Sequence, residues 1–337
     1  MERILKLTFF ALVLVHALVF ASHMFTGYDK VFAEREVSRA FRTYVIREGA
    51  ALNDVLEYLH GAQLAPQPLY VRFALLLHRK ELVVKKGTYD LPEHASTWDL
   101  LQMFQEGRVR LIKLTLPEGL DKWQTAELLG NTAWGDTEDF LDAINDPRPI
   151  VGLDPFAKDL EGYLHPETYH FPEEATPRVI VASMVRQFLT NTETLRAQAE
   201  EKGLKLREWV ALASMVEKET ALENESPTIA GVFANRLNRD MLLQCDPTII
   251  YSLKLDNLYK GKIYRSQILH DNPYNTYVYK GLPPGPIASP GLRSLSAALN
   301  PESTPYLFFV AQGDGSHYFS KTLNEHNRMV RKIRNGG

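Results

Sequence analysis

Two glutamates close an apolar run at residues 206–221, LREWVALASMVEKETA. At about 100° per residue, Trp209, Leu212, Ala213 and Val216 share one face of a helix, and Met215 borders it. Glu219 lies one turn beyond Met215 and Val216, at the edge of that apolar stripe. Glu217 falls further round, on the flank of Val210 and Ala221, and Lys218 faces away. A carboxyl held against apolar surface favours its neutral form, because desolvation penalises the charge. Glu219 is therefore the candidate for an acid that stays protonated near neutral pH and gives a proton to a leaving oxygen. Glu217 is the alternative acid, on a less apolar flank, and is otherwise a surface charge. The plain reading of the whole run is a helix with a solvated Glu-Lys-Glu end.

Further polar groups have spacings suited to a cleft. Residues 160–169, LEGYLHPETY, are dense in carboxyls and aromatics; Glu161 and Glu167 could hold ligand hydroxyls or cap and hydrogen-bond structurally. In Leu243-Gln244-Cys245-Asp246-Pro247-Thr248, Asp246 precedes Pro247 as an N-cap would, with ligand contact as its second role. The Gln244 amide suits acetamido and hydroxyl groups, and Thr248 joins the ligand-binding set. Tyr274, Asn275 and Tyr277 could line a groove or pack in the core. The run Gly281-Leu282-Pro283-Pro284-Gly285-Pro286-Ile287 fixes several φ angles and suits a rigid loop. His317 and His326 read as structural, and Cys245 as a small apolar filler.

The chain that positions these groups has 337 residues, a net charge of −3 and one cysteine. That length suggests two or three domains. The charge argues against nucleic acid as a partner, and a lone cysteine allows no intrachain disulfide. HExxH, CxxC, Walker, GxGxxG and GxSxG patterns are absent from the sequence, so it offers no metal, nucleotide or serine-hydrolase signature and implies no cofactor. Residues 4–25 are apolar enough for a membrane-spanning helix, and Arg3 and Lys6 before them favour an N-terminus left in the cytoplasm. A cleaved signal peptide, with Val19-Phe20-Ala21 as its cleavage pattern, is the competing reading.

The fold class expected is α+β, in four segments. Residues 1–25 form a cytoplasmic tip and transmembrane anchor, and 26–43 a polar stalk. Residues 44–110 form a small α+β module of strand, helices and strand, with Thr97 capping its last helix. Residues 111–337 form a larger mixed α+β domain. Within it, 176–202 reads as one helix, and Ser226-Pro227 starts another. Residues 306–311 read as a buried strand that turns at Gly313-Asp314-Gly315 into 316–319.

The Glu-Lys-Glu run, the Gln244 to Thr248 segment, Tyr274 to Tyr277, the proline-rich loop and Leu160 to Tyr169 occur in an order and spacing that resemble the YceG-like endolytic murein transglycosylases. The likeness runs from the anchor nearly to the C-terminus. Cys245 stands where a small polar residue is commoner, and His165 where an aromatic is commoner. The resemblance implies a LysM-like module at 44–110, a catalytic domain in the periplasm, and a single-pass anchor in the cytoplasmic membrane. It implies Glu219 as catalytic acid, peptidoglycan glycan strands as substrate, and synthase, divisome or elongasome proteins as partners. Three rival readings stand beside it: a non-catalytic peptidoglycan-binding scaffold, a hydrolase of the same substrate, and a pyridoxal-phosphate lyase. The last needs a Schiff-base lysine and a phosphate cradle, and neither stands out in the sequence.

Overall fold

The computed structural model describes residues 1–220 and 222–335. Ala221, placed by helical spacing on the flank of Glu217, lies outside the described residues, as do Gly336 and Gly337 at the end of the expected catalytic segment. The architecture is mixed α+β and divides into two compact units: residues 1–112 with 170–174, and 113–169 with the chain from 175 onward.

The first unit opens with α1 (Glu2–Phe32), 31 residues long. At 1.5 Å per residue that is about 46 Å, more than a bilayer's hydrocarbon core. By length and composition this helix can cross a membrane. It does not stop at residue 25. Met24, Tyr28, Val31 and Phe32, at helical spacing, pack into the core of the unit. Gly27 admits the Tyr70 ring so closely that a Cβ would lie 2.1 Å from Cδ1. Segment 26–43, read as a stalk from its polar composition, thus carries the end of α1 and then β1 (Glu34–Glu36), paired antiparallel with β4 (His94–Ser96). Tyr28, Val31 and Phe32 are too few to stand out among its charges, yet with Met24 they form one stripe.

Between these strands run β2 (Thr43–Ile46), α2 (Leu52–Gly61), α3 (Pro68–Leu77) and β3 (Gly87–Asp90). β2 pairs antiparallel with β3, Tyr44 facing Tyr89. The next helix, α4 (Thr97–Glu106), is capped by Ser96, whose Oγ accepts from Asp99 N at 3.1 Å; Thr97 is the first helical residue, not the cap. Gly107, at φ 76°, ends the helix in the left-handed region.

β5 (Leu111–Thr115) and β6 (Thr168–Pro172) pair, and the division between the two units falls within both strands. α5 (Lys122–Gly130) and α6 (Thr137–Ile144) are capped by Asp121 and Asp136. The helix expected over 176–202 is two, α7 (Pro177–Asn191) and α8 (Glu193–Glu201). Buried Thr192 breaks it: its hydroxyl donates to Phe188 O at 2.6 Å and its backbone leaves helical geometry.

The central helix is α9 (Leu206–Glu219), packed by α8, α10 (Ser226–Asn238), α11 (Asp246–Leu255) and α12 (Leu292–Leu299). Residues 209–216 are all buried, so neighbours cover its flanks as well as the expected face. Trp209 Nε1 donates to Leu295 O at 2.8 Å, and Ile287 N donates to Ser214 Oγ at 3.1 Å. The hairpin β7 (Phe308–Ala311) and β8 (His317–Ser320) carries α13 (Leu323–Arg334) on it. β7 is half-buried rather than buried.

Candidate active site

Glu219 is the last residue of α9, and the chain turns extended at Thr220. It lines a cavity of about 360 Å³ with Gln244, Asp246, Tyr277, His317 and His326. The carboxyl keeps a small opening to this cavity while protein surrounds the rest of it, and burial pushes its pKa up. Asp246 pushes it the same way. A hydrogen bond from the Cys245 thiol and the charge of His317 act against the rise and are outweighed. Cys245 is therefore more than a filler. It is buried, and its own thiol is held neutral by burial and by Glu219.

Glu217 does not share this cavity. Its Oε2 accepts from Gly291 N at 3.1 Å, and the adjacent Lys218 donates to Gly119 O at 3.0 Å. The two side chains pin loops on the far flank of α9, so Glu217 is structural rather than a free surface charge.

Gln244 sits at φ 51°, a left-handed backbone rarely adopted by a residue with a side chain. Its N–H donates to Thr276 O at 3.1 Å, which holds the strained loop and leaves the side chain exposed at the cavity. Asp246 is not the N-cap of α11: Cys245 occupies that position and Asp246 is the first helical residue. Its Oδ1 accepts from the Tyr277 hydroxyl at 2.6 Å, which fixes both groups at the cavity wall.

Thr248 and Asn275, expected among the ligand contacts, are buried with their polar atoms turned inward. Thr248 Oγ1 donates to Cys245 O at 2.7 Å. Asn275 Nδ2 donates to Ile268 O at 2.9 Å and His270 O at 2.8 Å, and its Oδ1 accepts from Tyr277 N at 3.0 Å. The geometry assigns both a positioning role for the Gln244 and Tyr277 loops. Glu167 is exposed and accepts from Thr168 N at 3.2 Å. Glu161 and Tyr274 line a different cavity.

Three groups at the site carried no motif in the sequence. Arg236 of α10 donates from Nε to Leu307 O at 2.6 Å and from Nη1 to Leu243 O at 2.8 Å, tying the hairpin to the Gln244 loop. Glu225 accepts from His317 N at 3.0 Å and pairs with its Nδ1 at 2.7 Å, orienting that imidazole. His326 faces the cavity, and burial together with nearby Arg236 pushes its pKa down. Each partner lies 70 or more residues away in the chain or is a backbone carbonyl, neither of which periodicity reports. Among the described residues no cluster of His, Cys, Asp or Glu is arranged to hold a metal ion.

Two expected results follow from this geometry. Tyr277→Phe keeps the ring and removes the phenol that fixes Asp246; loss of one charge-assisted hydrogen bond of about 1.5–3 kcal/mol predicts a stability drop of at most that size, read by chemical denaturation. The raised Glu219 pKa predicts a pH signature. Its folded value lies above its unfolded one, so the wild type loses stability as pH rises from the unfolded value through the folded one. Glu219→Gln lacks this loss. The variant's Tm should exceed the wild type's at pH 8, and the gap should close near pH 4; a gap independent of pH contradicts the raised pKa.

Together these features define an α+β protein with a desolvated carboxyl at the end of a buried helix, opening into a polar, aromatic groove. The chain belongs to the YceG-like family, whose sequence model matches residues 44–332. It is 37% identical over 203 residues to the endolytic murein transglycosylase of Bacillus subtilis (strain 168), covering 58% of this chain and 56% of that protein. It is 32% identical over 325 residues to the endolytic murein transglycosylase of Streptococcus pneumoniae (strain D39), covering 87% of this chain and 58% of that one. The chain thus spans little more than half the length of these relatives. A crystal structure of a YceG-like protein from Listeria monocytogenes superposes with a TM-score of 0.57 at 32% identity, covering 85% of this chain and 98% of that one.

Proposed function

We propose that this chain is a membrane-anchored endolytic murein transglycosylase that cuts the bond between N-acetylmuramic acid and N-acetylglucosamine within glycan strands. The observation that carries the reading is Glu219: a carboxyl whose pKa burial pushes up, yet which stays open to a groove. Protonated Glu219 gives its proton to the glycosidic oxygen as the C1–O bond breaks. The substrate's N-acetyl oxygen supports the positive charge developing at C1. The carboxylate left behind then takes the proton of the C6 hydroxyl, whose oxygen bonds to C1 and closes a 1,6-anhydro ring. The acid is restored and no water is consumed. Gln244, Asp246 and Tyr277 would hold sugar hydroxyl and acetamido groups along the groove.

The names of the relatives support this chemistry, and α1 supports the anchor. We place the N-terminus in the cytoplasm, the catalytic unit in the periplasm, and a LysM-like role for peptidoglycan on the first unit, where two helices separate the paired strands β2 and β3. Tethered there, the enzyme meets newly made strands and terminates their elongation, beside synthase, divisome or elongasome proteins.

A second reading has a specific observation behind it. Asp246 lines the same cavity as Glu219, and two carboxyls across a groove can hydrolyse a glycoside. Mass spectrometry of digested murein separates the possibilities. Anhydro ends support the transglycosylase, new reducing ends the hydrolase, and intact strands a non-catalytic scaffold.

A further inference from the structure

A second cavity in the same unit, of about 410 Å³, shares no lining residue with the Glu219 groove. Glu161 stands in its wall, 2% exposed. Its Oε2 accepts from Lys122 N at 2.8 Å, which fixes the carboxyl against the start of α5. Its Oε1 is buried and has no hydrogen-bond partner. The Tyr251 phenol lies close enough for the Glu161 carboxyl to suppress its ionisation. A buried polar atom left unsatisfied costs about 1–3 kcal/mol, so a ligand that reaches Oε1 recovers that cost.

The charges around the cavity decide what kind of ligand. Asp154 is paired with Arg207 at 2.7 Å, Asp159 with Lys122 at 2.6 Å, Asp121 with Lys254, and Asp256 with His270 at 2.7 Å. The remaining cation, Lys158, is exposed at the rim. Burial, with help from Asp121 and Asp159, pushes the Glu161 pKa up to about 8, so at neutral pH it is an uncharged O–H donor. The anions of the cavity wall thus have partners already: Asp154 and Asp159 pair with cations, and Asp256 accepts hydrogen bonds from His270 and Asn272. The cavity offers the Glu161 carboxylic acid beside Tyr251, whose ring packs against the half-buried Tyr274 ring with centroids 4.9 Å apart. A neutral molecule with apolar faces and polar edges fits such walls.

The geometry points to a second carbohydrate-binding pocket, in which an acetamido sugar packs against Tyr274 and accepts a hydrogen bond from Glu161. The choice of an acetamido sugar rests on the murein reading above. The pocket gives the enzyme a second hold on the strand, apart from the residues at the cut.

The test titrates the full chain carrying Glu219→Gln with N,N′-diacetylchitobiose by calorimetry. Affinity should fall roughly tenfold between pH 7 and pH 9, as a carboxyl of pKa about 8 loses its proton. Glu161→Gln keeps a neutral donor, so its affinity at pH 7 should stay within about threefold while the pH dependence vanishes. Tyr274→Ala, checked for folding by circular dichroism, should weaken binding about tenfold through lost ring contact. Cellobiose, which lacks acetamido groups, should bind more weakly. Affinity that rises with pH would assign Glu161 to a cation instead, and binding unmoved by Tyr274→Ala, with its pH dependence unchanged in Glu161→Gln, would overturn the proposal. These outcomes stay readable if Glu219→Gln protein still cleaves murein, a result that defeats the catalytic assignment alone.

Discussion

Glu219→Gln should lower the rate of murein cleavage about 10²–10⁴-fold, the usual contribution of general acid–base catalysis, with the fold unchanged. Glutamine preserves the volume and the acceptor facing the Cys245 thiol, so the buried end of α9 has no reason to move. It cannot deliver a proton to a glycosidic oxygen or take one from a C6 hydroxyl, so both halves of the reaction fail together. The measurement is initial rate against purified glycan strands, with circular dichroism as the control. Glu217→Gln is the informative companion. Glutamine still accepts from Gly291 N, and Glu217 lies away from the cavity. Its rate should stay within a few-fold of wild type. A reversal of these two results would move the acid to Glu217.

Gly162→Ala should destabilise the second unit by about 3 kcal/mol or more. Gly162 sits at φ 82°, where a side chain alone costs roughly 1–2 kcal/mol. The added Cβ would lie 2.4 Å from Pro286 Cβ, 2.6 Å from its Cγ and 3.0 Å from Val210 Cγ1. A proline ring and a core valine on α9 cannot step aside as an exposed lysine would, and overpacking of this kind costs roughly 1–3 kcal/mol more. For a unit of this size the loss corresponds to a Tm lower by roughly 6–12 °C, measurable by calorimetry on the full chain in detergent. Gly49 is the control. It shares a positive φ of 78° but has open space around its Cβ, so Gly49→Ala should cost only the backbone term.

Gly162 also shows why separate sequence motifs belong together. It lets the Leu160 to Tyr169 segment pack against both the proline-rich loop and the central helix. The apolar face of that helix, the position of Glu219 at its end, the φ-fixed loops and the α1 span could all be read from spacing, because each depends on neighbours within a turn or two. What escaped depends on partners far along the chain. Arg236 has no signal in the sequence, because its acceptors are the backbone carbonyls of Leu243 and Leu307. Thr248 and Asn275 read as ligand contacts because polar residues beside a cleft usually are; here they hold the cleft's own loops. The Cys245 thiol on Glu219 had no local signal at all. α12 was missed because it spans only 8 residues after a Pro-Gly pair, and α13 because it buries no residue.

Digestion of murein in ¹⁸O-water tests the central claim most directly. A lone acid at Glu219 that recycles its proton while the C6 hydroxyl closes the ring predicts unlabelled anhydro ends, produced by the wild type and lost in Glu219→Gln. New reducing ends carrying ¹⁸O, made by the wild type and abolished by Asp246→Asn, would show that water enters the bond and would contradict the account.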